Sequence, residues 1–210
     1  MELVTFNTYE QYLRLQRRSA RAKRWFPFFT WLEIKRIAEW VTEHKAGGVG
    51  RIVCHGARSG LECDEFKKHF PEAEAFGTDL CPYLGLSDRA KGVSPVVEHD
   101  FSVQRAEWIT AFDLVYSNSL SHAVDPARCL TVWLEQLRPG GVLALQWDYS
   151  AMGRVGGSDV FACDVGELAR MVDKAGKFLD VLWVDCPWEK RGLLARKALR
   201  VFVVIGGNRP

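Results

Sequence analysis

Phe112-Asp113-Leu114-Val115-Tyr116-Ser117-Asn118, followed after a helical span of about 20 residues by Leu137-Arg138-Pro139-Gly140-Gly141-Val142-Leu143, decides the fold. The first stretch is a short apolar run ending in polar residues, the composition of a buried strand. Between the two stretches, Ala127, Leu130, Leu134 and Leu137 recur at helical spacing over 126–137. Asp125 is a good cap and Pro126 suits the first helical position. The helix is expected to stop at Arg138-Pro139-Gly140-Gly141, and a second strand follows over 141–147. Strand, helix, turn and strand make a βαβ unit, which joins parallel strands.

The same alternation extends outward. Apolar runs predict strands at 51–56, 73–80, 95–101, 112–118, 141–147, 178–186 and 198–206. Helix patterns fall at 61–70, 83–91, 126–137 and 164–175. Such an alternation implies a mainly parallel sheet covered by helices on both faces. Only a short charged linker, Glu189 to Lys197, separates the last two runs, which allows an antiparallel pair at the carboxyl end. Before residue 51 the pattern is helical. Tyr9, Tyr12 and Leu13 share a face, and Arg14, Arg17, Arg18, Arg21, Lys23 and Arg24 follow. Pro27 breaks this helix. Thr30 with Glu33 forms a candidate capping box ahead of Ile34, Ile37, Ala38 and Val41. The expected organisation is an N-terminal helical extension, 1–48, packing on a core domain, 49–210.

Composition narrows the function classes. The 210 residues carry 28 Lys+Arg and 26 Asp+Glu, a net charge of +2, which excludes a protein acting mainly as a polycation. With 48% hydrophobic residues the chain has the composition of a globular domain. No run approaches the roughly 18–20 apolar residues of a membrane span. The start, Met-Glu-Leu-Val-Thr-Phe, lacks the basic and apolar regions of a signal peptide. A soluble, cytoplasmic protein is the expectation. The six cysteines, Cys54, Cys63, Cys81, Cys129, Cys163 and Cys186, form no C-x-x-C pair and read as reduced thiols. No carboxylate and histidine cluster repeats at ligand spacing, so no metal is expected.

In an open α/β sheet, ligands bind outside the carboxyl ends of the strands, where strand order reverses. The first strand ends in Cys54-His55-Gly56-Ala57-Arg58-Ser59-Gly60 and opens into a helix. Gly56 and Gly60 permit a tight turn and close backbone approach, and a helix amino terminus favours a negative group. The second strand ends in Gly77-Thr78-Asp79-Leu80, with Asp79 nineteen residues beyond Gly60. An acid at about that offset suits a ribose diol, although it also suits a helix cap. The third ends in Glu98-His99-Asp100-Phe101, and the fourth in Ser117-Asn118-Ser119-Leu120-Ser121-His122. Polar residues at four consecutive strand ends point to a nucleotide-type site.

From about residue 50 to 207 the chain resembles the class I S-adenosylmethionine-dependent methyltransferases. The likeness rests on Phe112 to Asn118, the helical span, and Leu137-Arg138-Pro139-Gly140-Gly141 leading into another strand. The resemblance implies a Rossmann-like, doubly wound sheet of seven strands, mostly parallel with an antiparallel last strand. It implies S-adenosylmethionine as cofactor, lying over the first two strand ends. Gly56, Ala57, Arg58, Ser59 and Gly60 would then line its methionine moiety, and Asp79 would take the ribose. Leu80 and Phe101 would flank the adenine, Asp100 would face the adenine amino group, and Ser117, Asn118 and Ser119 would sit beside the transferring methyl. The family's loop is usually acid-x-G-x-G-x-G; here Cys54 holds the acidic position and Arg58 that of the middle glycine. Losing the acid removes an expected contact to the cofactor's amino group, while the Arg58 guanidinium matches the methionine carboxylate.

Methyl transfer is an in-line displacement, and an oxygen acceptor wants its proton removed as the new bond forms. His122, just after the fourth strand, is the candidate base; its alternative role is to orient Ser119 or cap the next helix. Asp148 and Tyr149 are second candidates for the acceptor pocket, and Gln146-Trp147 reads as the end of a buried strand. His55 reads as structural, and His99 sits at the adenine end. No N-P-P-Y or D-P-P-Y tetrad follows the fourth strand, which lowers the case for base N-methylation. Residues 150–163, Gly-rich and aperiodic, read as a mobile loop beside the site. The expected acceptor is a small or glycan-like molecule, methylated at oxygen rather than nitrogen. Two rivals stand beside it: RNA or protein methylation through the basic segment from Arg14 to Arg24, and a non-catalytic remnant of the fold. Lys190, Arg191, Arg196, Lys197 and Arg200 form a second basic cluster suited to a phosphorylated acceptor.

Overall fold

The computed structural model describes residues 1–22, 29–82, 94–148, 155–175, 177–186 and 198–206. In chain order the elements are β1 (Glu2–Leu3), α1 (Tyr9–Ala22), α2 (Trp31–His44), β2 (Arg51–His55), α3 (Leu61–His69), β3 (Glu74–Asp79) and β4 (Val96–Glu98). They continue with β5 (Phe112–Ser117), α4 (Pro126–Glu135), β6 (Leu137–Asp148), β7 (Phe161–Ala162), α5 (Val165–Ala175), β8 (Lys177–Cys186) and β9 (Ala198–Gly206). Seven strands form one sheet in the order β4-β3-β2-β5-β6-β9-β8. β2 pairs in parallel with β3 and β5, β3 with β4, and β5 with β6. β9 is antiparallel to both β6 and β8. This is the expected doubly wound sheet with its antiparallel last strand. Strand order reverses between β2 and β5, so the ends of those two strands frame the crevice where such sheets bind ligands.

Side-chain alternation along the strands divides the core in two. Leu114, Tyr116, Val142 and Ala144 point to the face covered by α2 and α3, where Ile34, Ile37, Val41 and Phe66 meet them. Val115, Leu143 and Leu145 point the other way, against Leu130, Trp133, Leu168 and Val172 of α4 and α5. The capping box opens α2: Thr30 Oγ1 accepts from the Glu33 amide at 3.3 Å, and the Glu33 carboxylate accepts from the Thr30 amide. A cap of this kind is worth about 1 kcal/mol.

Two expectations need correction. The helix expected over 126–137 ends at Glu135, and Leu137 opens β6 opposite Phe112. The Gln136 carbonyl accepts the amides of Ala111 and Phe112 at 2.9 and 3.0 Å, which pulls the chain into the sheet. Leu137 is buried in either state, so its apolar periodicity did not discriminate. Within the 150–163 stretch read as a mobile loop, Ser158 and residues 160–163 are buried. Phe161–Ala162 forms β7, antiparallel to β1, and the Val160 amide donates to the Ser121 carbonyl at 2.8 Å. Backbone pairing to β1 is invisible to local periodicity. The helix expected at 83–91 lies outside the described residues, as do Lys23, Arg24, Tyr149, Lys190, Arg191, Arg196 and Lys197, and the side chains of Asp148 and Arg200.

At the opposite end of the sheet from the crevice, Asp113 organises three segments. Its Oδ2 accepts the Gly50 and Arg51 amides, both at 2.9 Å, and Arg138 at 3.2 Å. Its Oδ1 pairs with the buried Lys45 ammonium at 3.2 Å. Burial pulls the Asp113 carboxyl upward, but the two amides and Lys45 outweigh it and hold its pKa below the ordinary 3.8. Stability from this group is therefore present above that value and lost as pH falls through the depressed folded value. Asp113→Ala leaves the Gly50 and Arg51 amides without their acceptor and takes one partner from Lys45, whose ammonium keeps the Gly48 carbonyl at 2.6 Å. It is expected to cost roughly 2–4 kcal/mol at pH 7 and to flatten the acid limb of stability against pH, measured by urea unfolding.

Candidate active site

The turn after β2 is fixed from its neighbours. The Gly56 and Ala57 amides donate to the Thr78 carbonyl at 2.7 and 3.0 Å, and the Gly60 amide to the Ala57 carbonyl at 2.8 Å. Gly56 has φ +77°, and a Cβ there would stand 2.2 Å from Ser119 Oγ. Gly60, which caps α3, has φ +76°. Arg58, at the position where a glycine was expected, has φ +34°. A side chain in the left-handed region costs roughly 1–2 kcal/mol, a strain that marks a functional turn more often than a purely structural one.

Asp79 ends β3 against this turn. Its Oδ2 accepts the Arg58 amide at 3.1 Å and its Oδ1 the Cys81 amide at 2.7 Å. Burial raises its carboxyl above the ordinary 3.8; the Cys81 amide and the Arg58 charge oppose that rise. His55 is enclosed: Nδ1 meets Thr78 Oγ1 and Nε2 meets Gln136 Oε1, each at 2.8 Å, and the ring stacks on Trp133 at 5.2 Å. Burial lowers its pKa to about 3, which keeps it neutral and gives it the structural role expected.

A cleft opens over these strand ends. Of the residues singled out in the sequence, Gly56, Arg58, Asp79, Leu80, Phe101, Ser119 and His122 line it. The others stand behind that wall. Ser117 Oγ donates to the His55 carbonyl at 3.0 Å and accepts the Ser119 amide at 3.1 Å. Asn118 Oδ1 accepts from Ser119 Oγ at 2.9 Å. Ala57 is buried in the core beneath the turn, and Ser59 and Gly60 complete the turn. Asp100 faces α1: its Oδ2 accepts the Tyr9 hydroxyl, and its Oδ1 accepts the Ser102 amide and hydroxyl at 2.8 and 2.7 Å.

His122 closes a short 3-10 turn, Leu120–His122. Its Nδ1 lies 2.8 Å from the Ser158 carbonyl, with Asp159 Oδ1 at 3.5 Å. A carbonyl can only accept, so Nδ1 carries the proton and Nε2 is the basic nitrogen of the neutral ring.

Residues of α1 form the roof. Tyr12, Gln16, Ser19 and Ala20 line the cleft, and Gln16 Nε2 donates to the Ser158 carbonyl at 3.0 Å. The pairing of β1 with β7 and the Met1 ammonium on Glu167 at 2.6 Å tie down the chain ahead of α1. The sequence showed Tyr9 and Tyr12 on one face, but periodicity cannot tell a face packed on the core from one facing a cavity. Ser158 carried no sequence signal.

Residues 53–145 match the family profile described as "Methyltransferase domain". In fold the chain is similar to the Burkholderia thailandensis 1,6-didemethyltoxoflavin-N1-methyltransferase, with a TM-score of 0.72 and 16% identity over 97% of this chain and 92% of that one. The chain carries a methyltransferase domain on a class I, Rossmann-like methyltransferase fold. The chain is also similar in fold to a TehB-like S-adenosylmethionine-dependent methyltransferase of Corynebacterium glutamicum, with a TM-score of 0.60 and 18% identity over 95% and 97% of the two chains. The [4+2]-cyclase SpnF matches at a TM-score of 0.62 and 15% identity, over 83% of this chain and 82% of that one. No curated protein sequence matches the chain. Since the fold carries more than one chemistry, the acceptor must be argued from the site. The residues present suit the methyltransferase cofactor. The turn at Gly56 admits no Cβ, a half-buried acid stands at its edge, and Arg58 lines the cleft. Among the described residues no helix is long and apolar enough to cross a membrane.

Proposed function

We propose that the protein is an S-adenosylmethionine-dependent methyltransferase that acts on a hydroxyl of a small or glycan-like acceptor, with His122 as general base. S-adenosylmethionine supplies an electrophilic methyl carbon on a sulfonium centre. In this reading the Gly56–Gly60 turn holds the methionine moiety, with the Arg58 guanidinium on its carboxylate. Asp79 takes the ribose hydroxyls, Leu80 and Phe101 flank the adenine, Ser119 stands beside the reacting carbon with Ser117 and Asn118 holding it from behind, and Asp100, bonded to Tyr9 and Ser102, steadies the roof. Residues 1–48 serve as the cover of the core domain, with α1 excluding water from the cleft.

The observation that carries the proposal is the tautomer of His122 on the cleft wall. With Nδ1 committed to the Ser158 carbonyl, Nε2 is the nitrogen able to take the acceptor's proton as the carbon–oxygen bond forms. A concave cleft under a helical roof, lined by both apolar and polar side chains, suits a small ligand. The small heterocycle bound by the Burkholderia enzyme belongs to the same size class, although that enzyme methylates nitrogen. A second reading, RNA or protein methylation, draws support from the exposure of Arg14, Arg18 and Arg21 on α1.

His122→Gln tests the base. Turnover should fall roughly 10²–10⁴-fold, while S-adenosylhomocysteine affinity changes by less than about threefold. Unchanged turnover would remove His122 from the chemistry.

A further inference from the structure

The strand end that bears an acid in the family pattern bears Cys54 here. Cys54 is fully buried, and burial, reinforced by its bond with Cys63, pushes its thiol well above the ordinary range. It supplies no negative charge at neutral pH. Eight residues on, in the first turn of α3, Glu62 is only 6% exposed. Its Oε1 accepts from Asn118 Nδ2 at 3.4 Å, and its Oε2 is buried with no hydrogen-bond partner.

We propose that Glu62 is the anionic partner of the α-ammonium group of S-adenosylmethionine, replacing the acid missing from the end of β2. The assignment rests on the cofactor placement argued above. A glutamate in the first turn of a helix ordinarily interacts with the helix dipole while facing water. That explanation does not cover a carboxyl sealed from solvent with one oxygen unsatisfied. Among the described residues the other buried glutamate, Glu33, shows the contrast, because its carboxylate caps α2.

The groups around Glu62 fit a ligand cation. Burial raises its carboxyl to about 7, while its own amide, the Arg58 charge and Asn118 pull it down and Asp79 pushes it up. Cys54, which senses the Glu62 charge in turn, is a neutral neighbour. With Arg58 committed to the cofactor's carboxylate, Glu62 and Arg58 would divide its amino-acid zwitterion between them. An arriving ammonium favours the ionised carboxyl, so binding near neutral pH should displace a proton from Glu62.

The test uses the full chain and two probes: S-adenosylhomocysteine, and the same molecule with its α-amino group replaced by hydrogen. For the wild type, loss of the amino group should weaken binding roughly tenfold or more; for Glu62→Gln it should change binding by less than about threefold. Calorimetry at pH 7 in buffers of different ionisation heat should show proton release when the wild type binds S-adenosylhomocysteine, and none with the desamino probe. That arm needs no variant. Equal losses in both proteins, or no proton release, would overturn the assignment and leave the cofactor site standing. Failure of the wild type to bind S-adenosylhomocysteine would overturn the site and this assignment together.

Discussion

Replacing Asp79 by alanine is expected to weaken S-adenosylhomocysteine binding by roughly a hundredfold or more. Two hydroxyl donors to a charged, half-buried carboxylate are worth about 1.5–3 kcal/mol each, and even the lower values sum to that factor. The carboxylate also braces the site, because it accepts the amides of Arg58 and Cys81. The sign of the pKa shift supports a binding role. A carboxyl raised above 3.8 favours the folded state when protonated, and that contribution is lost as pH rises through the folded value. Ionised Asp79 thus opposes folding near neutrality, a cost that a purely structural cap would not impose. Acid should accordingly release the cofactor at a higher pH than an ordinary aspartate would set. Calorimetric titration of the variant checks the first point, and affinity within about threefold of wild type would exclude Asp79 from the ribose.

Gly56→Ala carries the second large effect. The new Cβ would lie 2.2 Å from Ser119 Oγ and 2.4 Å from Ser119 Cβ, on a backbone at φ +77°. The left-handed conformation costs roughly 1–2 kcal/mol and the overpacking roughly 1–3 kcal/mol. In a domain of this size the sum should lower Tm by roughly 5–15 °C. Cofactor binding should fail with it, since Ser119 lines the cleft and must move. Gly140→Ala is the control: φ is +75° with nothing within 4 Å of the added carbon, so only the backbone penalty applies. Differential scanning calorimetry of the pair separates the two costs, and equal Tm losses would mean that Ser119 yields freely.

Much of this architecture was legible in the sequence because buried strands and amphipathic helices carry their own periods. Leu114 and Val115 announce a strand covered on both sides, and Thr30 with Glu33 announces a helix start. The boundary at Leu137 was not legible, because a residue buried in helix or strand gives the same signal and the deciding bonds come from Ala111 and Phe112. Nor was the order of residues 158–163, whose pairing partner is at the far amino terminus. At the site, Gly56, Arg58, Asp79, Ser119 and His122 could be read from strand ends, a rule of topology. Tyr12 and Gln16 could not, since they reach the cleft only through the docking of α1, nor could Ser158, which is held there by the pairing of residues 160–162 with Ser121 and β1. Glu62 was hidden for another reason: its meaning depends on burial, and a first-turn glutamate in a sequence looks exposed.

The proposed reaction is methyl transfer to a small hydroxyl acceptor in the cleft beneath α1. Release of S-adenosylhomocysteine, followed while the full chain is offered sugars, nucleotide-sugars, small phenols and RNA, tests it most directly. The expected result is turnover with a hydroxyl-bearing small molecule, lost in His122→Gln and absent with RNA. Turnover with RNA alone, weakening steeply with salt, would contradict it.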